Sequence, residues 1–307
     1  MKVFNIDSIN GLERPTAVTV GMFDGVHLGH RHLLRTLHDS ATRLGLAPVV
    51  VTFANHPRMV LCPDEPFGLL STFDERLAML EACGVEHVAV VSFDRQTASL
   101  SACRFAEEFL CNRLDMRLLV LGYDNQFGSR AADDFSLLPH LARSHGFDIG
   151  HDKAVVVNGV EVSSTKIRHA LLEGNIAAAN AMLGAPYRLS GTVVHGRHVG
   201  TRLGFPTANV AVADSHKLLP ASGVYALTAS VDGTSYAAMA NLGAQPTFGL
   251  ADAVLEVNLL NFNGDIYGKP IEVQFIDRLR DIVSFSSADE LRQQLEKDRA
   301  SIMALFY

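Results

Sequence analysis

TAVTVGMFDGVHLGHRHLLRTLHDSATRLG, residues 16–45, holds the turn on which the reading of the fold depends. Thr16–Val20 is a short apolar run of the kind found in a buried strand. Leu33, Leu34, Leu37, Ala41 and Leu44 then recur at helical spacing, and Gly45 supplies a stop. Between strand and helix lies GMFDGVHLGH, 21–30. Gly21 and Gly25 let the backbone turn sharply and approach a ligand. His27 and His30 are three apart, so on a first helical turn they share a face where free N–H groups favour phosphate. Two imidazoles beside those amides could bind a triphosphate and stabilise charge that builds during displacement. A metal pair with further ligands elsewhere, or a tight turn with surface histidines, would use the same residues. His32 receives no role.

The alternation continues outward from this turn. PVVVTF at 48–53, HVAVVSF at 87–93 and RLLVLG at 117–122 are further apolar runs. Ser71-Thr72 caps a helix that stops at Gly84, Ser101 opens another, and a third ends near Gly146. Continuous strands separated by helices predict a parallel sheet covered on both faces, with ligands at its C-terminal strand ends. Asn158-Gly159 between valine runs predicts a hairpin, followed by a helix opening at SSTKIR and ending near Gly174.

From about Tyr187 the pattern becomes antiparallel. YRLSGTVVHG, GVYALTASV, TSYAAMANL, VLEVNLLNF and IEVQFI read as strands, with Asp232-Gly233 and Asn263-Gly264 as hairpin turns. Ser287 and Glu290 form a capping box for a last helix with Leu291, Leu295, Ile302 and Leu305 along one stripe. The expected architecture is a Rossmann-like parallel α/β domain, 1–184, followed by an antiparallel β-barrel with a terminal helix, 185–307.

Composition narrows the function class. Of 307 residues, 48% are hydrophobic and 19% charged, enough for real cores. The formal net charge of −7 argues against a nucleic-acid partner, and no apolar run approaches a membrane span. Cys62, Cys83, Cys103 and Cys111 form no C-x-x-C pair and are read as reduced and buried. With no signal-peptide pattern at the N-terminus, the expectation is a cytoplasmic protein. Self-association is left open.

Two further stretches carry chemistry. In SSTKIR, Ser164 and Thr165 offer hydroxyls and Arg168 a planar fork for phosphate oxygens; an ordinary cap with a solvated arginine is equally compatible. In HVGTRLGFPTANV, 198–210, Gly200 and Gly204 allow close approach to a phosphate. Thr207 and Asn209 alternate with Ala208, so their oxygens face one way and could hold Mg²⁺, unless they simply complete a hydrogen-bonded turn. Glu256 sits mid-strand among apolar residues, where an acid is either exposed or employed. As a base it must reach a substrate hydroxyl.

GMFDGVHLGH resembles, at every fixed position, the G-x-F-D-G-V-H-x-G-H motif of bacterial bifunctional riboflavin kinase/FAD synthetases, and VSSTKIRHAL resembles their second adenylyl-transfer motif. GTRLGFPTAN, SGVYA, NLGAQPTF, LEVNLLNF and GDIYG are similar, in order, to the kinase motifs of the same family. The resemblance spans essentially the whole chain. It implies phosphorylation of riboflavin to FMN by ATP, then adenylyl transfer to FMN giving FAD and pyrophosphate, with Mg²⁺. It implies ATP contacts from Gly21, Phe23, Gly25, His27, His30, Ser164, Thr165 and Arg168, and flavin or nucleotide contacts from Asp124 and Asn125 in GYDNQFG. Asp24 either binds or orders the turn. It further implies Mg–ATP binding by Thr207 and Asn209, an ATP flap shaped by Gly200, Gly204 and Pro206, and Glu256 as the base. Several positions depart from the family pattern: Asn125, Thr201-Arg202, Gln245, Asn261 and Ile282–Ser284. A second reading follows from them, a family member with one site decayed that is monofunctional or a flavin-binding regulator. A third is a metal-binding H-x-x-H module.

Overall fold

The computed structural model describes residues 1–9, 11–123, 127–129, 135–195, 204–243 and 255–306. Asp124, Asn125, Gly200, Thr201, Arg202 and Gln245, named above, lie outside the described residues. The chain divides into two compact units, Met1–Phe67 with Ser71–Ser164, and Gly68–Leu70 with Thr165–Tyr307.

The first unit is built on six parallel strands: β1 (Lys2–Asn5), β2 (Thr16–Val20), β3 (Ala47–Phe53), β4 (His87–Val91), β5 (Met116–Leu121) and β6 (Asp148–His151), in the order β1-β4-β3-β2-β5-β6. Alternate residues feed two cores. Val18, Val20, Val49 and Val51 pack on one face, and Ala17, Val50, Val88 and Leu118 on the other. This two-sided burial explains the unbroken valine runs. The edge strands β1 and β6 have no such signal, because β1 is mostly exposed and β6 only half-buried. Successive strands step outward from β2 to β3 to β4, and then the chain returns to place β5 on the other side of β2. The C-terminal ends of β2 and β5 therefore flank the point where strand order reverses, the usual ligand crevice of such sheets.

The expected helices are present. Leu28–Leu44 buries Leu33, Leu34, Leu37 and Ala41 and ends at Gly45 with φ 68°, although Leu44 in its last turn is exposed. Phe73–Ala82 opens with a full capping box between Thr72 and Glu75. The helix opened by Ser101 contains a π-helical stretch, Ala106–Cys111. Asn158-Gly159, at φ 51° and 77°, turns the short hairpin β7 (Val156–Val157) to β8 (Val160–Glu161). None of the four cysteines is in a disulfide, but Cys83 is exposed and the others half-buried. Their placement therefore corrects the expectation of buried thiols.

The second unit is a closed antiparallel barrel of β9 (Tyr187–Val194), β10 (Ala208–Val212), β11 (Gly223–Val231), β12 (Thr234–Leu242), β13 (Leu255–Leu259) and β14 (Pro270–Arg280), in the order β10-β13-β12-β11-β14-β9. Leu189, Tyr225, Leu227, Leu255, Val257, Val273 and Phe275 are buried along the inward alternation. Asp232-Gly233 makes the expected tight turn between β11 and β12. Asn263-Gly264 does not make a hairpin. β13 pairs with β10 and β12 whereas β14 pairs with β11 and β9, so the strands on either side of it are not neighbours. The left-handed residues of that connection are instead Asn261 and Gly268.

The terminal helix, Ala288–Phe306, covers one outer face of the barrel. Ile302, Leu295, Met303 and Phe306 pack with Phe205, Val224, Ala226, Met239 and Leu260. Leu305 is exposed instead, since at about 3.6 residues per turn Phe306 lies nearer the Leu295–Ile302 line. Ser287 Oγ accepts from Glu290 N as expected, but the Glu290 carboxylate returns to Ser286 rather than Ser287. Arg280 of β14 reaches the helix through three hydrogen bonds of 2.7–3.1 Å to the buried carboxylate of Asp298, which also accepts from Gln294. Removing one partner of a buried ion pair strands the other. Asp298→Ala is therefore expected to lower unfolding stability by about 3–5 kcal/mol, measured by chemical denaturation. An unchanged midpoint would contradict this account of the pair.

Candidate active sites

The loop after β2 is strained and tightly held. Phe23, Gly25 and Val26 adopt φ 53°, 77° and 36°, and a β-branched residue there is a genuine outlier of the kind that clusters at functional sites. Gly21 lies under the Phe23 ring, where a Cβ would come within 3.1 Å of it. Asp24 is buried, and its Oδ1 accepts from Ser71 N at 2.8 Å and Ser71 Oγ at 3.0 Å. Ser71 Oγ in turn accepts from Gly25 N at 2.9 Å. The Asp24 carbonyl accepts from Ser164 Oγ, which brings the start of SSTKIR to the same turn. Beneath it the Arg76 side chain is almost fully buried and donates to the carbonyls of Met22 and Phe53 at 2.9 and 2.7 Å, tying the ends of β2 and β3 together. Burial pulls its guanidinium down to about 10, against a smaller opposing effect of Asp24.

His27 is the cap of the helix rather than a member of its first turn. Its Nδ1 accepts from His30 N at 3.2 Å, and the two rings stack with centroids 3.6 Å apart. One amide of the helix terminus is therefore already engaged by the protein. An Nδ1 that accepts carries no proton, so in the neutral ring the proton sits on Nε2. A Cβ at Gly29 would lie 3.2 Å from the His27 ring and crowd the stack. Part of His30 is exposed, but its Nδ1 is enclosed and has no hydrogen-bond partner among the described residues. Burial, and secondarily His27, holds this imidazole well below the ordinary histidine range.

Beside the loop, a cavity of about 540 Å³ opens at the sheet's C-terminal edge. Gly21, Met22, Phe53, Phe93, Phe105 and Phe127 line it. Phe105 is 5.4 Å from Phe127 and 6.2 Å from Phe53, centroid to centroid. Gly128 has φ 88°, and a Cβ there would sit 2.4 Å from Ala102 N, so only glycine seats Phe127 in this wall.

The second unit has its own cavity, about 280 Å³, between the barrel and the terminal helix. Thr207, Asn241, Glu256, Asn258, Arg280 and Phe285 are in its lining. Register explains the grouping. Glu256 lies opposite Asn209 on β10 and opposite Asn241 on β12, so the three share a face. Leu255, Val257 and Leu259 turn inward, as their alternation requires. Asn258 Nδ2 donates to Pro206 O at 2.6 Å and anchors the segment that carries Thr207. Gly204 is left-handed at φ 81°, and Ile282 and Val283 form an exposed apolar rim.

Gly21, Phe23, Gly25, His27, His30 and Ser164 thus gather at one turn, and Thr165 and Arg168 continue the helix that Ser164 begins. Arg168 Nε is held on Gly68 O at 2.8 Å. Sequence reasoning missed Ser71, Arg76, Asn241 and Asn258, which reach the sites only through tertiary contacts. Gly29 could have been read from the glycine of H-x-G-H.

These are the folds of a nucleotidyltransferase and a small-molecule kinase carried on one chain. The FAD synthetase family model matches residues 10–166 and the riboflavin kinase model residues 183–306. The bifunctional riboflavin kinase/FMN adenylyltransferase of Escherichia coli K12 is 37% identical, covering 94% of this chain and 92% of its own length. Those of Haemophilus influenzae and Bacillus subtilis are 35% and 34% identical, covering 98% and 95% of this chain and 97% and 92% of their own. A crystal structure described as a macrolide-efflux protein of Streptococcus pneumoniae matches with TM-score 0.88 at 35% identity over 98% of both chains. Among the described residues no helix is long and apolar enough to cross a membrane. The chain belongs to the bifunctional riboflavin kinase/FMN adenylyltransferase family. It is an ATP-dependent enzyme that converts riboflavin to FMN and FMN to FAD. The one-site-decayed reading is not favoured, since each half matches its own family model.

His30 gives a pH signature. Its pKa is depressed in the folded state, so below about 6.5 the unfolded chain takes up a proton that the folded ring resists. Its contribution is complete above that value and declines as pH falls toward the folded pKa. Between pH 7.5 and 5.5 the wild type should lose about 1 kcal/mol more unfolding stability than His30→Gln, measured by denaturation at both pH values. Equal losses would contradict the burial of this ring.

Proposed function

We propose that adenylyl transfer takes place at the loop after β2 and phosphorylation at the outer face of the barrel, and that the functional boundary lies between residues 184 and 185. This boundary differs from the compact-unit break after Ser164. The helix Ser164–Leu172 serves the first reaction, but its far end packs in the second unit, where Ala221 N donates to Leu171 O.

At the first site an FMN phosphate oxygen attacks the α-phosphorus of ATP, and pyrophosphate leaves. His27, donating from Nε2, and His30 stabilise the charge on the phosphates, with Ser164, Thr165 and Arg168 completing their seat. Gly21, Phe23 and Gly25 give the loop its shape. The flavin ring stacks in the cavity of Phe53, Phe93, Phe105 and Phe127, which is aromatic and large enough for it. Asp124 and Asn125 supply polar contacts to flavin or nucleotide.

At the second site Glu256 takes the proton of the ribityl 5′-hydroxyl as that oxygen attacks the γ-phosphorus of ATP and ADP leaves. Thr207 and Asn209 hold Mg²⁺, whose preference for oxygen their side chains suit and which would offset phosphate charge. The rings of His27 and His30 stack face to face and His27 Nδ1 already accepts from His30 N, a geometry that suits phosphate contacts better than an H-x-x-H metal module. Gly200, Gly204 and Pro206 shape the flap over ATP. The observation that carries the assignment is the cross-strand row Asn209–Glu256–Asn241 beside a cavity shared with Thr207. We place the protein in the cytoplasm, as an ATP-binding flavin enzyme without nucleic-acid or membrane partners, in keeping with its net charge of −7.

Glu256→Gln is expected to lower FMN formation from riboflavin and ATP by about 10²–10⁴-fold while FAD formation from supplied FMN continues. The products are separated chromatographically. Undiminished FMN formation would remove Glu256 from the role of base.

A further inference from the structure

The ladder between β2 and β3 runs in register from Thr16 opposite Ala47 to Val20 opposite Val51. Gly21 N still donates to Val51 O at 3.0 Å, and then the two strands part. β2 gives way to the Phe23–Val26 turn, whereas β3 runs on and pairs Phe53 with Val91 of β4. The same register, carried two residues further, sets Met22 against Phe53. Both of these residues line the aromatic cavity.

Arg76 bridges this pair. Its Nη1 donates to Met22 O at 2.9 Å and its Nη2 to Phe53 O at 2.7 Å, so a planar fork takes the place of the ended ladder. Nη1 also lies 3.3 Å from Met22 Sδ, and the guanidinium stands 5.1 Å from the centre of the Phe73 ring. Thr52 Oγ1 donates to the same Met22 carbonyl at 3.3 Å.

Stability alone does not call for an arginine here. The residue is 2% exposed, and these bonds go to carbonyls and a sulfur, none to a carboxylate. Its Nε is buried too and has no hydrogen-bond partner among the described residues. A buried charge and an unmade N–H bond both cost free energy, and a well-packed apolar side chain is often neutral or better in such a place. Burial pulls the guanidinium down to about 10, which leaves it charged at neutral pH. What the arginine adds is two donors at a fixed separation, which hold two strand ends at a fixed separation.

We propose that Arg76 is a positioning residue for adenylyl transfer, setting the spacing between Met22, at the root of the phosphate-seating turn, and Phe53, in the wall of the flavin cavity. This role rests on the assignment of that turn and that cavity to adenylyl transfer. FMN has to reach both at once, its ring against Phe53 and its phosphate toward the turn. A change in the spacing therefore weakens the hold on FMN and turns its phosphate away from the α-phosphorus of ATP.

Arg76→Lys keeps the charge but offers one nitrogen where the guanidinium offers two. In the full-length protein it is expected to raise the KM for FMN in FAD formation by about tenfold. FMN formation from riboflavin, assayed separately, should stay within about twofold of the wild type. Loss of folded protein alone would lower kcat and leave KM in place. Thr52→Val deletes the second bond to the Met22 carbonyl at nearly constant volume. It should raise the same KM by about threefold, and it decides the matter should Arg76→Lys not fold. An unchanged KM for FMN in folded Arg76→Lys would mean that charge alone suffices and would overturn the proposal. A fall in FMN formation as large as that in FAD formation would overturn it too. His27→Ala tests the underlying assignment. If it leaves FAD formation intact, the assignment of the turn has failed. If it abolishes FAD formation while Arg76→Lys is silent, only the role of Arg76 has failed.

Discussion

The hydrogen bonds between Asp24 and Ser71 are the constraint on which the proposed adenylyl-transfer site depends. Three residues of the Phe23–Val26 turn are left-handed, two of them not glycine, at a cost of about 1–3 kcal/mol each. Such a backbone persists only where its surroundings over-determine it. Asp24 is buried and accepts twice from Ser71, and Ser71 then receives the Gly25 amide. Arg76 below and Ser164 beside the turn fix its two remaining sides. The acid of the motif thus holds the backbone of the loop.

The barrel solves a different problem. Its proposed active face lies outside a closed wall of apolar side chains, so strand register chiefly sets the polar residues there. One register row brings Asn209, Glu256 and Asn241 together from three strands. The terminal helix, pinned by Arg280 and Asp298, closes the cavity above them. On the proposed assignment the two chemistries rest on different devices, a strained turn in one unit and a cross-strand row in the other.

Much of this was legible in the sequence, for identifiable reasons. The central strands β2, β3 and β5 are buried on both faces and read as unbroken apolar runs. Edge strands β1 and β6 are not, and went unseen. Capping chemistry at Thr72 and glycine stops at Gly45 and Gly146 marked helix ends reliably because they are local. Asn263-Gly264 misled because a hairpin dipeptide says nothing of whether its flanking strands are neighbours, and the barrel's strand order separates β13 from β14. Among the proposed site residues, His27, His30, Thr207 and Glu256 lie in short motifs that the sequence displays directly. Ser71 is 47 residues from Asp24 and meets it only in the folded chain, and Asn241 joins Glu256 only through pairing. The substitution Asn261 has a structural reading: asparagine tolerates its left-handed φ of 58° and accepts from Arg299.

The most direct measurement of the central claim is amide hydrogen exchange on the full chain with and without ATP, in the absence of flavin. If the turn after β2 seats the phosphates, ATP should slow exchange in peptides covering Gly21–His30 and in those covering Ser71, separately from any protection in the barrel. Protection confined to the barrel, with the Gly21–His30 peptides unchanged at saturating ATP, would contradict it.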